Sequence, residues 1–326
     1  MTEAGFPIHT LAALKAALER KDILAAVGRA FILHAEGKVV SPAPGQLLFD
    51  RPPGDCHIKY GYMKGGRSFV IKIATGFYEN PKKGLPVNNG LVLVFDAETG
   101  KTTALLQDEG WLTSWRTAAA GALAAKAGAP ATVKRIGIVG AGHQAALQAR
   151  WVSAELGCDG ITIWGRSRSA AERLAAGLRA EGLDASTAET VEALLDACNV
   201  VITCTPSNAP LFPAAAVQPG THIVALGADS PGKQELDPAL FARAAVIVTD
   251  DRHQCRDHGD FGHATRAGIV DACSDVSLGK VLAGEAPGRF SDDDITIVDL
   301  TGLPALDVAI ATLAVEKLSA SVKTDR

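Results

Sequence analysis

No run of about 18 consecutive apolar residues occurs in the 326-residue chain, so a membrane-spanning helix is not expected. A concentrated basic face is missing too. The 32 Lys and Arg are spread along the sequence against 36 Asp and Glu, for a net charge of −4. Nucleic-acid binding needs a clustered positive footprint, so that class of partner is excluded. Met1 to Thr10 has no basic stretch running into an apolar one, so no secretory leader is expected and the cytoplasm is the expected location. The six cysteines (Cys56, Cys158, Cys198, Cys204, Cys255 and Cys273) form no CxxC pair and no dense framework. They read as reduced, mostly buried thiols of a cytosolic protein. Internal repeats and low-complexity tracts are absent as well.

The chain is long enough to bury a substantial core, and its length suggests about two domains. Leu11, Leu14, Leu18, Ile23, Val27 and Phe31 recur at helical spacing, predicting an amphipathic opening with a break near Lys21-Asp22. Residues 38 to 106 change character. Phe69-Val-Ile-Lys-Ile73 and Leu91-Val-Leu-Val-Phe95 are β-rich and separated by turn-rich stretches, which predicts a mostly antiparallel sheet fronted by helices. An Ala-rich helix follows over Thr117 to Ala129. Short apolar strands then alternate with helical segments, at 135–139, 161–164, 200–204, 222–226, 245–248 and 295–298. Such alternation implies a parallel sheet covered by helices on both faces, an α/β Rossmann architecture. A last helix is predicted over Leu306 to Leu318.

Ile136-Gly-Ile-Val-Gly140-Ala-Gly142-His-Gln-Ala145 runs from a strand through GxGxxA into a helix. Gly140 permits the tight turn, Gly142 lets backbone approach a pyrophosphate, and Ala145 lets helix and strand pack closely. His143 and Gln144 open the helix, whose free N–H groups and positive dipole end suit phosphate. An acid at the end of the second strand would accept the ribose hydroxyls of NAD. Here Arg166-Ser167-Arg168 stand instead, two guanidinium groups and a hydroxyl suited to a 2′-phosphate. NADP(H) is therefore favoured over NAD(H), the alternative being that these arginines lie on a solvated loop.

Three segments carry a wider resemblance: Leu112-Thr-Ser-Trp-Arg-Thr-Ala-Ala119, Gly227-Ala-Asp-Ser-Pro-Gly-Lys-Gln-Glu-Leu236 and Thr301-Gly-Leu-Pro-Ala-Leu-Asp307. Over nearly its whole length the chain resembles the ornithine cyclodeaminase/mu-crystallin family. The resemblance implies that residues 1–116, completed by 305–326, form an α+β substrate-binding and dimerisation domain beside a Rossmann domain of residues 117–304. It implies a homodimer and a small imino or amino acid substrate. Lys72 matches the family lysine near the reacting centre, and Arg116 the arginine that grips the substrate carboxylate. Asp229 matches the proposed general acid/base at the substrate nitrogen, and Lys233 lies in the same loop. Thr205, with Gly227 and Ala228, falls on the cofactor side.

The chain also departs from the family. An arginine common early in the first domain has no clear counterpart over Pro42 to Leu48, although Arg51 and Lys59 lie nearby. Val87 stands where Ser or Thr is usual, and Ala-Leu-Asp307 where many members have Gln before the Asp. His57 to Gly65 is most similar to the subgroup that includes ectoine-utilisation members. The expected activity is NAD(P)-dependent redox chemistry at a C–N bond, as in an imino-acid reductase or amino-acid dehydrogenase. The alternatives are an ammonia-releasing cyclodeaminase that uses the nucleotide catalytically, and a non-catalytic binding protein. Arg252 to His263 holds three His, a Cys and two Asp, but the five-residue spacing of the His and the lack of a paired Cys predict no metal site. Asp292-Asp-Asp294 reads as a solvated turn.

Overall fold

The computed structural model describes residues 5–324. Residues 1–4 and 325–326, the ends of the two terminal spans named above, lie outside the described residues. The chain divides into two compact units, Met1–Arg116 with Leu303–Arg326, and Thr117–Gly302.

The first unit runs β1 (Ile8–Thr10), α1 (Leu11–Ala17), α2 (Arg20–Ala35), β2 (Val39–Val40), β3 (Gly45–Asp50), β4 (Pro53–Met63), β5 (Ser68–Phe77), β6 (Asn88–Asp96) and β7 (Thr102–Gln107). Its sheet has the order β1-β7-β6-β5-β4-β2, with β3 pairing β4, and is antiparallel except at β1–β7. The helical opening breaks at Leu18–Glu19 rather than at Lys21-Asp22, because Asp22 belongs to the first turn of α2. A carboxylate there is favoured by the helix dipole. Alternation along β5 puts Val70 and Lys72 on one buried face, so the strand's own period drives a lysine into the core.

The connecting helix α3 (Trp111–Gly128) starts six residues before the Ala-rich stretch. Its first turn is held by Asp108, whose Oδ2 accepts from the Leu112 N–H at 3.0 Å. The second unit continues with β8 (Ile136–Val139), α4 (His143–Leu156), β9 (Gly160–Trp164), α5 (Arg168–Ala180), β10 (Asp184–Thr187), α6 (Val191–Ala197), β11 (Val200–Thr203), β12 (His222–Ala225), β13 (Ala244–Thr249), α7 (Arg252–His258), α8 (Asp260–Arg266), β14 (Val276–Ser277), α9 (Leu278–Leu282) and β15 (Ile295–Asp299). The eight strands are all parallel in the order β10-β9-β8-β11-β12-β15-β13-β14. Strand order reverses between β8 and β11, the point at which open α/β sheets bind ligands. The fold thus comprises a Rossmann-like α/β unit and an α+β unit. The last helix, α10 (Pro304–Thr324), returns to the first unit and packs on α2, β4 and β5. No helix among the described residues is long and apolar enough to cross a membrane.

Candidate functional site

In the first unit, Lys72 of β5 and Arg116 of α3 converge on Asp307 in the first turn of α10. The Lys72 ammonium lies 2.8 Å from Asp307 Oδ2, and Arg116 Nε donates to Asp307 Oδ1 at 3.1 Å. All three side chains are buried. Burial pushes the Lys72 ammonium down to about 8, although Asp307 works the other way. Burial would raise the Asp307 carboxyl, but Lys72 and Arg116 together outweigh it and hold it at about 2. Asp307 is therefore a fixed anion at neutral pH. Among the described residues the two terminal nitrogens of Arg116 bond nothing, so the open side of its guanidinium fork is available. A planar fork and an ammonium beside one shared carboxylate leave positive charge in excess, which suits an anionic group such as a carboxylate. Asp108 is buried too, and burial shifts its carboxyl towards the neutral form. Arg51 lies exposed in the β3–β4 turn.

In the second unit, the β8–α4 turn has the geometry of a phosphate cradle. Gly140 adopts φ +136°, and a Cβ there would stand 3.1 Å from the Cys204 carbonyl oxygen, so the turn itself requires glycine. Gly142 is different. A Cβ at that position would meet nothing within 4 Å, so packing does not demand the glycine. The space is open at the start of α4, which has Gly142 as its N-cap and no side-chain cap. His143 is exposed in that first turn. Open backbone at an uncapped helix N-terminus, at the switch point of the sheet, fits a dinucleotide pyrophosphate. After β9, Ser167 caps α5 by accepting from the Ala170 N–H at 3.3 Å. Arg168 is engaged by Glu172 and Glu189, whereas exposed Arg166 has no side-chain partner among the described residues.

The loops after β11 and β12 are tied together by one buried carboxylate. Glu235 accepts from the Thr203 hydroxyl at 2.7 Å, the Thr205 N–H at 2.6 Å, the Thr205 hydroxyl at 2.8 Å and the Gly227 N–H at 2.7 Å. Gly227 is glycine because a Cβ would lie 2.1 Å from the Thr205 carbonyl oxygen and 2.5 Å from the Glu235 carboxyl carbon. Ala228 is buried beside it. The N–H groups of Glu235 and Leu236 in turn donate to Asp260 Oδ1, both at 2.9 Å. Asp229 stands exposed beyond this lock, its Oδ1 2.6 Å from the Lys233 ammonium. The Lys233 carbonyl is bonded by His263 Nε2 at 2.9 Å.

The sequence profile of the ornithine cyclodeaminase/mu-crystallin family matches residues 7–322. The chain belongs to that family. An uncharacterized cyclodeaminase of Sinorhizobium fredii is 41% identical over 279 residues, covering 84% of each chain. An archaeal alanine dehydrogenase, solved as a dimer with bound NAD, superposes with a TM-score of 0.89 at 33% identity and 97% coverage of both chains. The iminosuccinate reductase of Paracoccus denitrificans, solved with NAD+, gives 0.86 at 31% identity and 96% coverage of both.

Two further residues, Asp307 and Glu235, shape the site without a local sequence signal. Both lie in segments that carry the family resemblance, but each acts on partners remote in sequence. Arg116 and Asp307 are 191 positions apart. The histidine-rich segment forms α7 and α8, and no group of three or more His, Cys, Asp or Glu among the described residues is placed to hold a metal ion. Asp292 and Asp294 accept backbone N–H groups from Ala131, and from Phe290 and Ser291.

Proposed function

We propose that the chain is an NAD(P)-dependent oxidoreductase acting on the C–N bond of a small imino or amino acid. The observation that carries this reading is the buried Lys72–Arg116–Asp307 cluster, whose open guanidinium fork meets no acceptor among the described residues. Arg116 grips the substrate carboxylate through its terminal nitrogens, and Lys72 orients and polarises the same group. Asp229 gives or takes the proton at the substrate nitrogen, held in place by Lys233. The dinucleotide, when bound, supplies or accepts the hydride at the substrate α-carbon. Gly140, Gly142, His143 and Gln144 hold its pyrophosphate, and Thr205, Gly227 and Ala228 lie towards its nicotinamide end. Residues 1–116 with 305–326 serve as the substrate-binding and dimerisation domain, and 117–304 as the nucleotide domain.

Arg166, which has no side-chain partner among the described residues, supports with Ser167 and Arg168 a preference for NADP(H), although the two solved relatives described above were solved with NAD. Edge strand β3 exposes Leu47, Leu48 and Phe49, and this apolar edge, together with the dimeric archaeal relative, supports a homodimer. A monomer mass by light scattering would overturn that assignment.

A second reading, a cyclodeaminase, is favoured by the name of the Sinorhizobium fredii relative. One screen separates the two: pyrroline-2-carboxylate, piperideine-2-carboxylate, iminosuccinate, alanine, ornithine and diaminobutyrate, with nucleotide absorbance and ammonia followed together. Net nucleotide turnover matched to substrate supports the oxidoreductase. Ammonia release without net nucleotide change establishes the lyase. Silence with every substrate and both nucleotides overturns the redox reading.

A further inference from the structure

Asp299 ends β15 and Asp260 opens α8, and both side chains are fully buried. Asp299 Oδ2 accepts the Phe261 N–H at 2.9 Å, and a Cβ on Gly259 would collide with the same oxygen. The residues on both sides of Asp260 thus touch the Asp299 carboxyl. Asp260 Oδ1 accepts the Glu235 and Leu236 N–H groups. The two remaining oxygens, Asp260 Oδ2 and Asp299 Oδ1, are buried and meet no hydrogen-bond partner among the described residues. Burial, then Asp260, pushes the Asp299 carboxyl up, and burial pushes Asp260 in the same direction. The other ionisable groups around the pair offer it no counter-charge. Asp250, after β13, and Glu235, in the loop after β12, take donors of the chain at both oxygens. Cys255 of α7 donates its thiol to Asp250 Oδ1 at 3.2 Å. Arg243, in the 238–243 turn packed on α8, donates to the Ala214 and Val217 carbonyls, and Lys233 pairs with Asp229.

Two adjoining buried carboxyls without a cation cannot both ionise, and one proton held between them satisfies both orphaned oxygens. We propose that Asp260 and Asp299 share one proton and act as positioning residues, the protonated pair holding the Glu235–Leu236 backbone and with it the loop that carries Asp229 and Lys233. The proton belongs to the pair rather than to either residue. Its loss at alkaline pH sets two buried anions against each other, so that Asp260 releases the Glu235 and Leu236 N–H groups and the loop loosens. The link to turnover rests on the role given to Asp229 under Proposed function; the shared proton and its hold on the loop do not.

Asparagine has the shape of aspartate and carries a permanent donor. Asp299→Asn or Asp260→Asn therefore replaces the shared proton with an amide N–H that alkali does not remove. The test compares both variants with the wild type as full-length chains. In infrared difference spectra at neutral pH, the wild type should show the carbonyl band of a protonated carboxylic acid that each variant lacks. At one alkaline pH, amide exchange at Glu235 and Leu236 should be about tenfold faster or more in the wild type than in either variant, the scale of one charge-assisted hydrogen bond. With a substrate at saturation, wild-type kcat should fall by about tenfold per pH unit beyond the loss of the proton, while the variants hold theirs to higher pH. If one variant fails to fold, the other decides. Failure of both to fold, an acid band present in both variants, or exchange that does not separate them from the wild type each overturn the proposal. Identical kcat profiles in all three overturn the positioning role. A band and exchange rates as expected, in a chain that turns over no imino or amino acid, leave the shared proton and its hold on the loop standing and overturn the redox reading instead.

Discussion

Two buried carboxylates of the second unit, Glu235 and Asp250, are bonded differently from the charges around Asp307 in the first. In the second, Glu235 takes four N–H and O–H donors, and Asp250 takes the Asp251, Thr301 and Gly302 N–H groups and the Thr301 hydroxyl. These carboxylates are saturated by the chain itself and hold loops together. In the first, Lys72 and Arg116 share a single carboxylate, and the guanidinium fork is half used. A buried charge whose bonding is complete reads as architecture, and one left incomplete reads as a socket. Candidate reactive groups of the second unit, Asp229 and Arg166, are by contrast exposed.

The largest effect expected from this difference is at Asp307. Asp307→Asn leaves two buried cations without their anion, which should destabilise by about 3–5 kcal/mol and abolish turnover. Denaturant titration and kcat/KM measure both, and a stable, active variant would break the comparison. Asp229→Asn should lower kcat by about 10²-fold, with nucleotide affinity retained and stability within about 0.5 kcal/mol of wild type. A near wild-type rate would remove Asp229 from proton transfer. Glu235→Gln offers a donor where four donors already point, and should lower stability by roughly 1–3 kcal/mol while leaving the ranking of substrates unchanged. A reversed ranking would blur the line between architecture and socket.

The pH dependence sharpens the same contrast. Lys72 is held at about 8, below its ordinary 10.5, so it loses its proton in the folded chain first. KM for the carboxylate substrate should therefore climb above pH 8, by about tenfold per unit at most. Across the window from about 8 to 10.5 the unfolded chain binds more protons at this lysine, so its contribution to stability rises with pH. The affinity loss should come without a fall in stability assignable to Lys72. Parallel loss of both would point to a general alkaline unfolding. The smallest effect is at Arg166. NADPH should bind several-fold tighter than NADH, and Arg166→Asp should reverse the order. Equal affinities in the wild type would leave that arginine as a solvated side chain.

The Rossmann half was legible because its central strands are short, apolar and regularly interrupted. The two strands missed, β10 and β14, are the outermost ones. Asp184-Ala-Ser-Thr187 is mostly polar, and Val276-Ser277 is too short to show a period. The start of α3 was obscured because Asp108, which holds its first turn, lies before any periodic residue. Family motifs pointed to Lys72, to Arg116 and to the return of 305–326 to the first domain, but the anion joining the two cations follows only from how α10 packs against β4 and β5. Glu235 was hidden for the same reason. Its four donors come from three separate positions, and no local pattern announces them.

The return of α10 has a consequence for how the protein is made. Synthesis proceeds from the N-terminus, and domains tend to fold as they emerge. Lys72 and Arg116 are made long before Asp307, with all of Thr117–Gly302 emerging between them. The first unit must wait, its two cations lacking their carboxylate, until α10 leaves the ribosome. The second unit, continuous in sequence, can finish first. A nascent or shortened chain that lacks α10 would thus present a folded second unit but leave Lys72 and Arg116 without their carboxylate, so the cluster exists only once α10 has been made.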